Sequence, residues 1–151
     1  MIRPAFHSLR LGGNTKASVI LPMQLLFGGI AYGAMEVLWR GYTHPSMVLT
    51  GGVCFAMICT VNRKWKHIPL VLRSTVCALG ITAMEFCVGM LVNFTLHMEV
   101  WDYSDEWMHL LGQICPLYSC LWFFLSLFLS CLLSFSKPKL TVAPLKKARP
   151  R

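Results

Sequence analysis

Charge is scarce in this sequence. Asp, Glu, Lys and Arg make up only 13% of its 151 residues, against about 25% in soluble domains. No Lys or Arg lies between Arg73 and Lys137. The chain has no GxSxG, no Ser-His-Asp spacing, no phosphate-binding loop, no GxGxxG and no HExxH. Nucleophilic hydrolysis, ATP hydrolysis by this chain and a compact zinc site are therefore unsupported. The seven cysteines, Cys54, Cys59, Cys77, Cys87, Cys115, Cys120 and Cys131, form no CxxC and all lie in apolar stretches. They read as small packing residues, not as a disulfide or metal framework.

What is abundant is apolar sequence: 56% hydrophobic residues and a mean hydropathy of +0.58. A soluble fold with this composition has too little polar surface to face water. The bilayer is the alternative solvent. Four apolar runs can be marked, at about 17–39, 45–61, 68–96 and 110–135. Each approaches the roughly 20 residues that a membrane-spanning helix needs, the second at the short end. The runs are continuous, not alternating, which selects helices over a barrel. The expectation is an all-α integral membrane protein with four transmembrane helices in a domain over 17–135. A cytoplasmic tail, 1–16, precedes it, and a basic tail, 136–151, expected to be disordered, follows. The first run, long and continued by Glu36, is read as a retained span and not a cleaved signal.

The net charge of +8 is unevenly placed. Four spans put Arg3, Arg10, Lys16, Arg63, Lys64, Lys66, Arg73 and the six basic residues from Lys137 on one side, with Arg40 alone on the other. That is a topology pattern more than a nucleic-acid footprint. It places both termini in the cytoplasm, in a plasma-membrane protein. The stretch Glu99 to Trp107, EVWDYSDEW, then faces outward, with Trp101, Tyr103 and Trp107 at headgroup level. Membrane lipids are the partner the composition implies.

A weak internal echo, Ala34-Met35-Glu36 against Ala83-Met84-Glu85 and Gly51-Gly52-Val53-Cys54 against Gly112-Gln113-Ile114-Cys115, suggests two parallel helical-hairpin repeats. Gly29 and Gly33 form a GxxxG pair suited to packing between the halves, and Gly112, Ser119, Ser126, Ser130 and Ser134 trace a small, weakly polar seam on the fourth run.

Two carboxylates stand inside apolar runs. Glu36 is near the end of its helix and one turn from Arg40. Glu85 is about eleven residues from the end of its own, so it must be protonated, paired or facing a wet cavity. Arg40 is expected to bridge Glu36 and Glu85, or to reach the acidic loop, with Asp102 as its partner there. The candidate cluster is Glu36, Arg40, His44, Glu85, Asn93, Asp102 and Gln113. His97, Glu99, Asp102 and His109 suit a metal by type but not by spacing, so no metal is assigned. Nothing calls for a cofactor.

Several strings taken together resemble a known family. They are Tyr32-Gly33-Ala34-Met35-Glu36-Val37-Leu38-Trp39-Arg40-Gly41-Tyr42-Thr43-His44, Ile81-Thr82-Ala83-Met84-Glu85-Phe86, Val100-Trp101-Asp102-Tyr103-Ser104 and Gly112-Gln113-Ile114-Cys115. The chain is similar over about 28–130 to the bacterial family labelled putative ABC-transporter type IV, or CmpB-like, of small multi-span membrane proteins. The resemblance implies recurrent polar positions at Glu36, Arg40, His44, Glu85, Asn93, Trp101, Asp102, Tyr103 and Gln113. The stretch Asp105 to Leu111 departs from the family pattern.

The leading expectation is a transporter component whose polar cluster meets a cation, proton or polar solute from outside, acting with a homo-oligomer or a partner transporter subunit. Alternatives are a membrane enzyme acting on a lipid or lipid-linked substrate, with Arg40 binding phosphate, and a structural or assembly subunit. Enzyme activity is left open, with the balance against it.

Overall fold

A computed structural model describes residues 14–135. The expected tails, 1–16 and 136–151, fall almost wholly outside the described residues. Most of the rest is helical, as the continuous apolar runs predict. Helix α1 runs Asn14–Arg40, α2 Pro45–Lys64, α3 Leu70–Gly89 and α4 Pro116–Phe135. A π-helical segment, Met90–Thr95, prolongs α3. All four are long and apolar enough to cross a membrane.

Local chemistry sets most of the ends. Gly41, at φ +83°, stops α1 and donates its N–H to Val37 O at 2.9 Å, a left-handed exit that favours glycine. His44 caps α2: its Nδ1 accepts from the Ser46 N–H at 3.3 Å, with Pro45 at the first helical position. Proline there gives up only an N–H that would have been orphaned. Helix α2 continues to Lys64, beyond the apolar run, because Arg63 and Lys64 in its last turn complement the negative end of the helix dipole. The fourth helix starts at Pro116 and not near 110. The apolar residues before it belong to a loop folded onto the bundle, in which Cys115 is buried.

The chain forms two helical hairpins. Helix α1 packs along α2, α3 packs along α4, and α2 joins the pairs by touching α3 and α4. The Gly29–Gly33 face serves the first hairpin and does not join the halves. A Cβ on Gly29 would stand 2.7 Å from Val48 O, and one on Gly52 would stand 2.4 Å from Leu25 O. Without a hydrophobic drive in lipid, such backbone approach is what holds two helices together. The serine seam of α4 does link elements: Asn62 Nδ2 of α2 donates to Ser130 Oγ at 2.8 Å, and Thr82 Oγ1 of α3 donates to Ser119 Oγ at 3.2 Å. Cys54, Ile58, Cys77, Ala78, Ile81 and Trp122 form the main core. The glycine echo does not occupy equivalent places, since Gly51 and Gly52 lie within α2 while Gly112 lies in the loop before α4. Leu26, Phe27, Leu38, Phe124 and Phe128 stand exposed around the bundle, as residues facing lipid do.

Candidate functional site

The loop 96–115 folds over one end of the bundle; we call this the capped end. The opposite end, with the 65–69 connection, is the basic end. Three groups of polar contacts organise the capped end.

The first is a clasp. Arg40 Nη2 donates to Glu36 Oε1 at 2.7 Å, and Arg40 Nη1 donates to Val100 O at 2.8 Å. Thr43 Oγ1 donates to Glu36 Oε2. The guanidinium also lies over the Tyr42 ring, 4.8 Å from its centroid. Four residues of helical spacing bring Glu36 and Arg40 onto one face, as expected. This is the one ion pair among the described residues. Two expectations for Arg40 are therefore corrected. It does not reach Glu85, and its contact with the loop is a backbone carbonyl and not Asp102.

The second group is a lock between the π-helical segment and the loop. Asn93 Oδ1 accepts from Val100 N at 2.7 Å, and its Nδ2 donates to Trp101 O at 2.9 Å and to Gln113 Oε1 at 2.8 Å. Trp101 Nε1 donates to Gln113 O at 3.1 Å, and Gln113 Nε2 donates to Leu111 O at 3.0 Å. Trp101 is thus buried in protein and is not a headgroup anchor; Trp107 is 77% exposed. The reason is that Asn93 satisfies the backbone at Val100 and Trp101 while the Gln113 carbonyl accepts the indole N–H, which lets the ring be buried. Gly89 makes the lock possible. A Cβ there would stand 2.3 Å from Gln113 Oε1 and 3.0 Å from Trp101 Cζ2. The Gln113 side chain is held by Asn93 and Leu111, so Gly89→Ala is expected to cost about 1–3 kcal/mol by overpacking. Amide hydrogen exchange should report it as faster exchange in 98–113, with α1 and α2 unchanged.

The third group centres on Glu85, 3% exposed. Tyr103 Oη donates to its Oε1 at 3.0 Å, and Trp122 Nε1 donates to its Oε2 at 2.8 Å. Both donors are neutral. Tyr103 stacks on Tyr118, with centroids 4.3 Å apart and rings inclined by 14°. Burial, with the Glu85 charge beside it, pushes the Tyr103 phenol well above its ordinary range. Tyr103 is therefore a proton donor at neutral pH, never a phenolate. Glu85 is the carboxylate the sequence singled out, and it is satisfied by hydrogen bonds yet has no counter-charge among the described residues.

The remaining predicted residues stand apart. Asp102 is exposed, and its Oδ1 accepts from Ser104 N at 2.9 Å and Ser104 Oγ at 2.5 Å. The Ser104 hydroxyl first, then its amide, hold this carboxyl below the usual range. It shapes a turn beside Gly112, whose φ of +67° favours glycine. His44 is the cap of α2. Among the described residues no three His, Cys, Asp or Glu side chains converge.

Two cavities meet here. A broad recess of about 1190 Å³ is lined by Glu36, Arg40, Asn93, Trp101, Tyr103 and Gln113 among others. Beneath it an apolar cavity of about 240 Å³ reaches all four helices, with Phe27, Phe55, Ile81, Leu129 and Glu85 on its walls. Tyr32, Met35, Met47, Trp122 and Leu125 line both. Glu85 is thus the carboxyl group of an otherwise largely apolar chamber, and the hydrogen bond from Tyr103 connects it to the recess above. Sequence reasoning missed Trp122, Tyr32 and Thr43. Trp122 carried a usable signal: an indole buried in an apolar helix needs an acceptor for its N–H.

A family model described as Putative ABC-transporter type IV matches residues 35–144. The match spans most of the chain and contains all nine predicted cluster residues. The chain belongs to this family. Curated proteins and solved structures yielded no match.

Proposed function

We propose that this chain is the membrane-embedded component of a transport system and that Glu85 receives the positive charge of the transported species, a proton or a cationic solute. One observation carries the reading: a carboxylate 3% exposed, held by two neutral donors, at the head of an apolar chamber shared by four helices. An ionised group is expensive at such depth unless something neutralises it. Nothing among the described residues of the neighbouring helices does so, and a passing cation or proton would.

The route runs from the recess, past Tyr103 and Trp122, to Glu85. Both side chains must yield their hydrogen bonds for a cation to reach the carboxylate, which makes them the barrier between recess and chamber. The clasp of Glu36 and Arg40 is already neutral as a pair; its part is to hold α1 against the loop. By the positive-inside rule the capped end faces outward and both termini face the cytoplasm. Membership of the family supports a transporter partner subunit. With no phosphate-binding loop in the sequence, any nucleotide-driven step would come from another chain. A second copy of this chain is the other candidate partner.

Reconstituted vesicles test the proposal. Proton or organic-cation flux above that of empty vesicles is expected. Flux equal to empty vesicles for protons, alkali cations and lipophilic ammonium ions, with and without co-purified partners, would overturn it.

A further inference from the structure

The chain has six acidic side chains, Glu36, Glu85, Glu99, Asp102, Asp105 and Glu106. All belong to the capped half. The basic end has no side-chain carboxylate of its own, in the helices or in the flanking sequence on either side. Yet Arg73 is buried there, only 6% exposed. Its Nε is enclosed without an acceptor, and its side chain takes part in no hydrogen bond or ion pair among the described residues. The nearest acid along the helix, Glu85, is twelve residues on, about 18 Å at helical rise.

Among the described residues, the charged groups nearest Arg73 in sequence are all cationic. It lies in the first turn of α3, the positive end of the helix dipole. Arg63 and Lys64 close the preceding helix, and Lys66 lies in the connection between them. Burying an unpaired cation in such a place is costly unless an anion joins it.

The backbone asks for the same anion. Pro69 precedes α3 and supplies no side-chain cap, and the first turn contains no acid. The leading N–H groups of α3 are left without intrahelical acceptors, an arrangement that binds phosphate. Side chains on a helix lean toward its N-terminus, which directs the buried Arg73 side chain toward the end where these amides lie. A phosphate diester can take two parallel guanidinium bonds and accept from the amides with its remaining lone pairs.

The surroundings select a lipid over a free ion. Leu70 begins the membrane-spanning stretch. Val71 and Leu72 beside Arg73 are 59% and 52% exposed, and Trp65 in the connection is 40% exposed. A headgroup at Arg73 would lay its acyl chains along these apolar side chains, with Trp65 at the interface.

We propose that Arg73 and the N-terminus of α3 form a binding site for the phosphate of an anionic phospholipid, rimmed by Arg63, Lys64 and Lys66. The proposal is independent of transport through Glu85.

The test uses the purified full chain in mild detergent, melted with phosphatidylglycerol, phosphatidylcholine or inorganic phosphate added. Phosphatidylglycerol is expected to raise the melting temperature by several degrees more than phosphatidylcholine does. Arg73→Gln should erase that difference, Arg73→Lys should keep part of it, and Lys64→Gln should keep most. Equal effects of the two lipids on the unaltered chain overturn the proposal. So does a phosphatidylglycerol preference that survives in Arg73→Gln. An equal rise with inorganic phosphate overturns the lipid assignment. Should Arg73→Gln fail to fold, native mass spectrometry of the unaltered chain decides. Retained phosphatidylglycerol over phosphatidylcholine supports the site, and indifference removes it.

Discussion

Glu85→Gln is expected to abolish cation binding and flux while leaving the four-helix bundle folded. The two halves of that outcome have separate causes. Glutamine is isosteric and keeps one oxygen acceptor, so Tyr103 or Trp122 retains a partner while the other faces an amide NH₂. One unmatched buried donor costs about 1–3 kcal/mol. Removing a carboxylate from an apolar chamber returns a similar amount, so the melting temperature should move little. Binding has no such compensation. Opposite charges about 4 Å apart attract by roughly 4 kcal/mol at an effective dielectric constant of 20. After the cation's own desolvation, affinity should fall by at least about 100-fold, and vesicle flux should drop to background. Normal flux in a folded Glu85→Gln protein would remove Glu85 from the pathway. Loss of folding together with loss of flux would instead make Glu85 a structural residue.

Arg40→Gln has the opposite profile, a stability effect with no direct chemical one. Glu36 is buried and depends on Arg40 and Thr43. Taking one partner from a buried ion pair leaves an uncompensated charge, at a cost of about 3 kcal/mol. The Arg40 side chain is 21% exposed to the recess, which keeps the figure at the low end of that class. The clasp also reaches Val100 O, so the loop should loosen with it. A drop in melting temperature of roughly 6–12 °C is expected. The double change Glu36→Gln with Arg40→Gln should recover most of that loss, because no orphan charge remains, and the double-mutant cycle should give a coupling of about 2 kcal/mol. A single change without thermal effect would mean that the pair is solvated and that α1 is held by its glycine face alone.

These two residues also show what could be read along the chain. Glu85 was conspicuous because a carboxylate eleven residues inside an apolar run has no local exit. That it had to be paired, protonated or facing a cavity followed from depth alone. Its donors did not, since Tyr103 and Trp122 are 18 and 37 residues away in sequence and no periodicity connects them. Arg40 was equally conspicuous, and its partner one helical turn back was legible from spacing. The expected reach to Asp102 was not, because Asp102 is satisfied within three residues by Ser104. A short-range turn of this kind competes with any distant salt bridge and is formed at less entropic cost. His44 met the same fate, taken by the helix start that Pro45 and Ser46 define.

Hydropathy is local and additive, so the order of residues alone decided the solvent, the number of helices and which ends collect positive charge. It also decided that one cation at the basic end has no acid to meet. Which polar groups touch depends on how far each helix slides and turns against the next, and here backbone contacts at Gly29 and Gly52, with the Gln113 and Trp101 side chains seated on Gly89, set those positions. Only the packed bundle could put Trp122 and Tyr103 onto Glu85, seat Trp101 inside the protein and leave an apolar chamber under a single carboxylate.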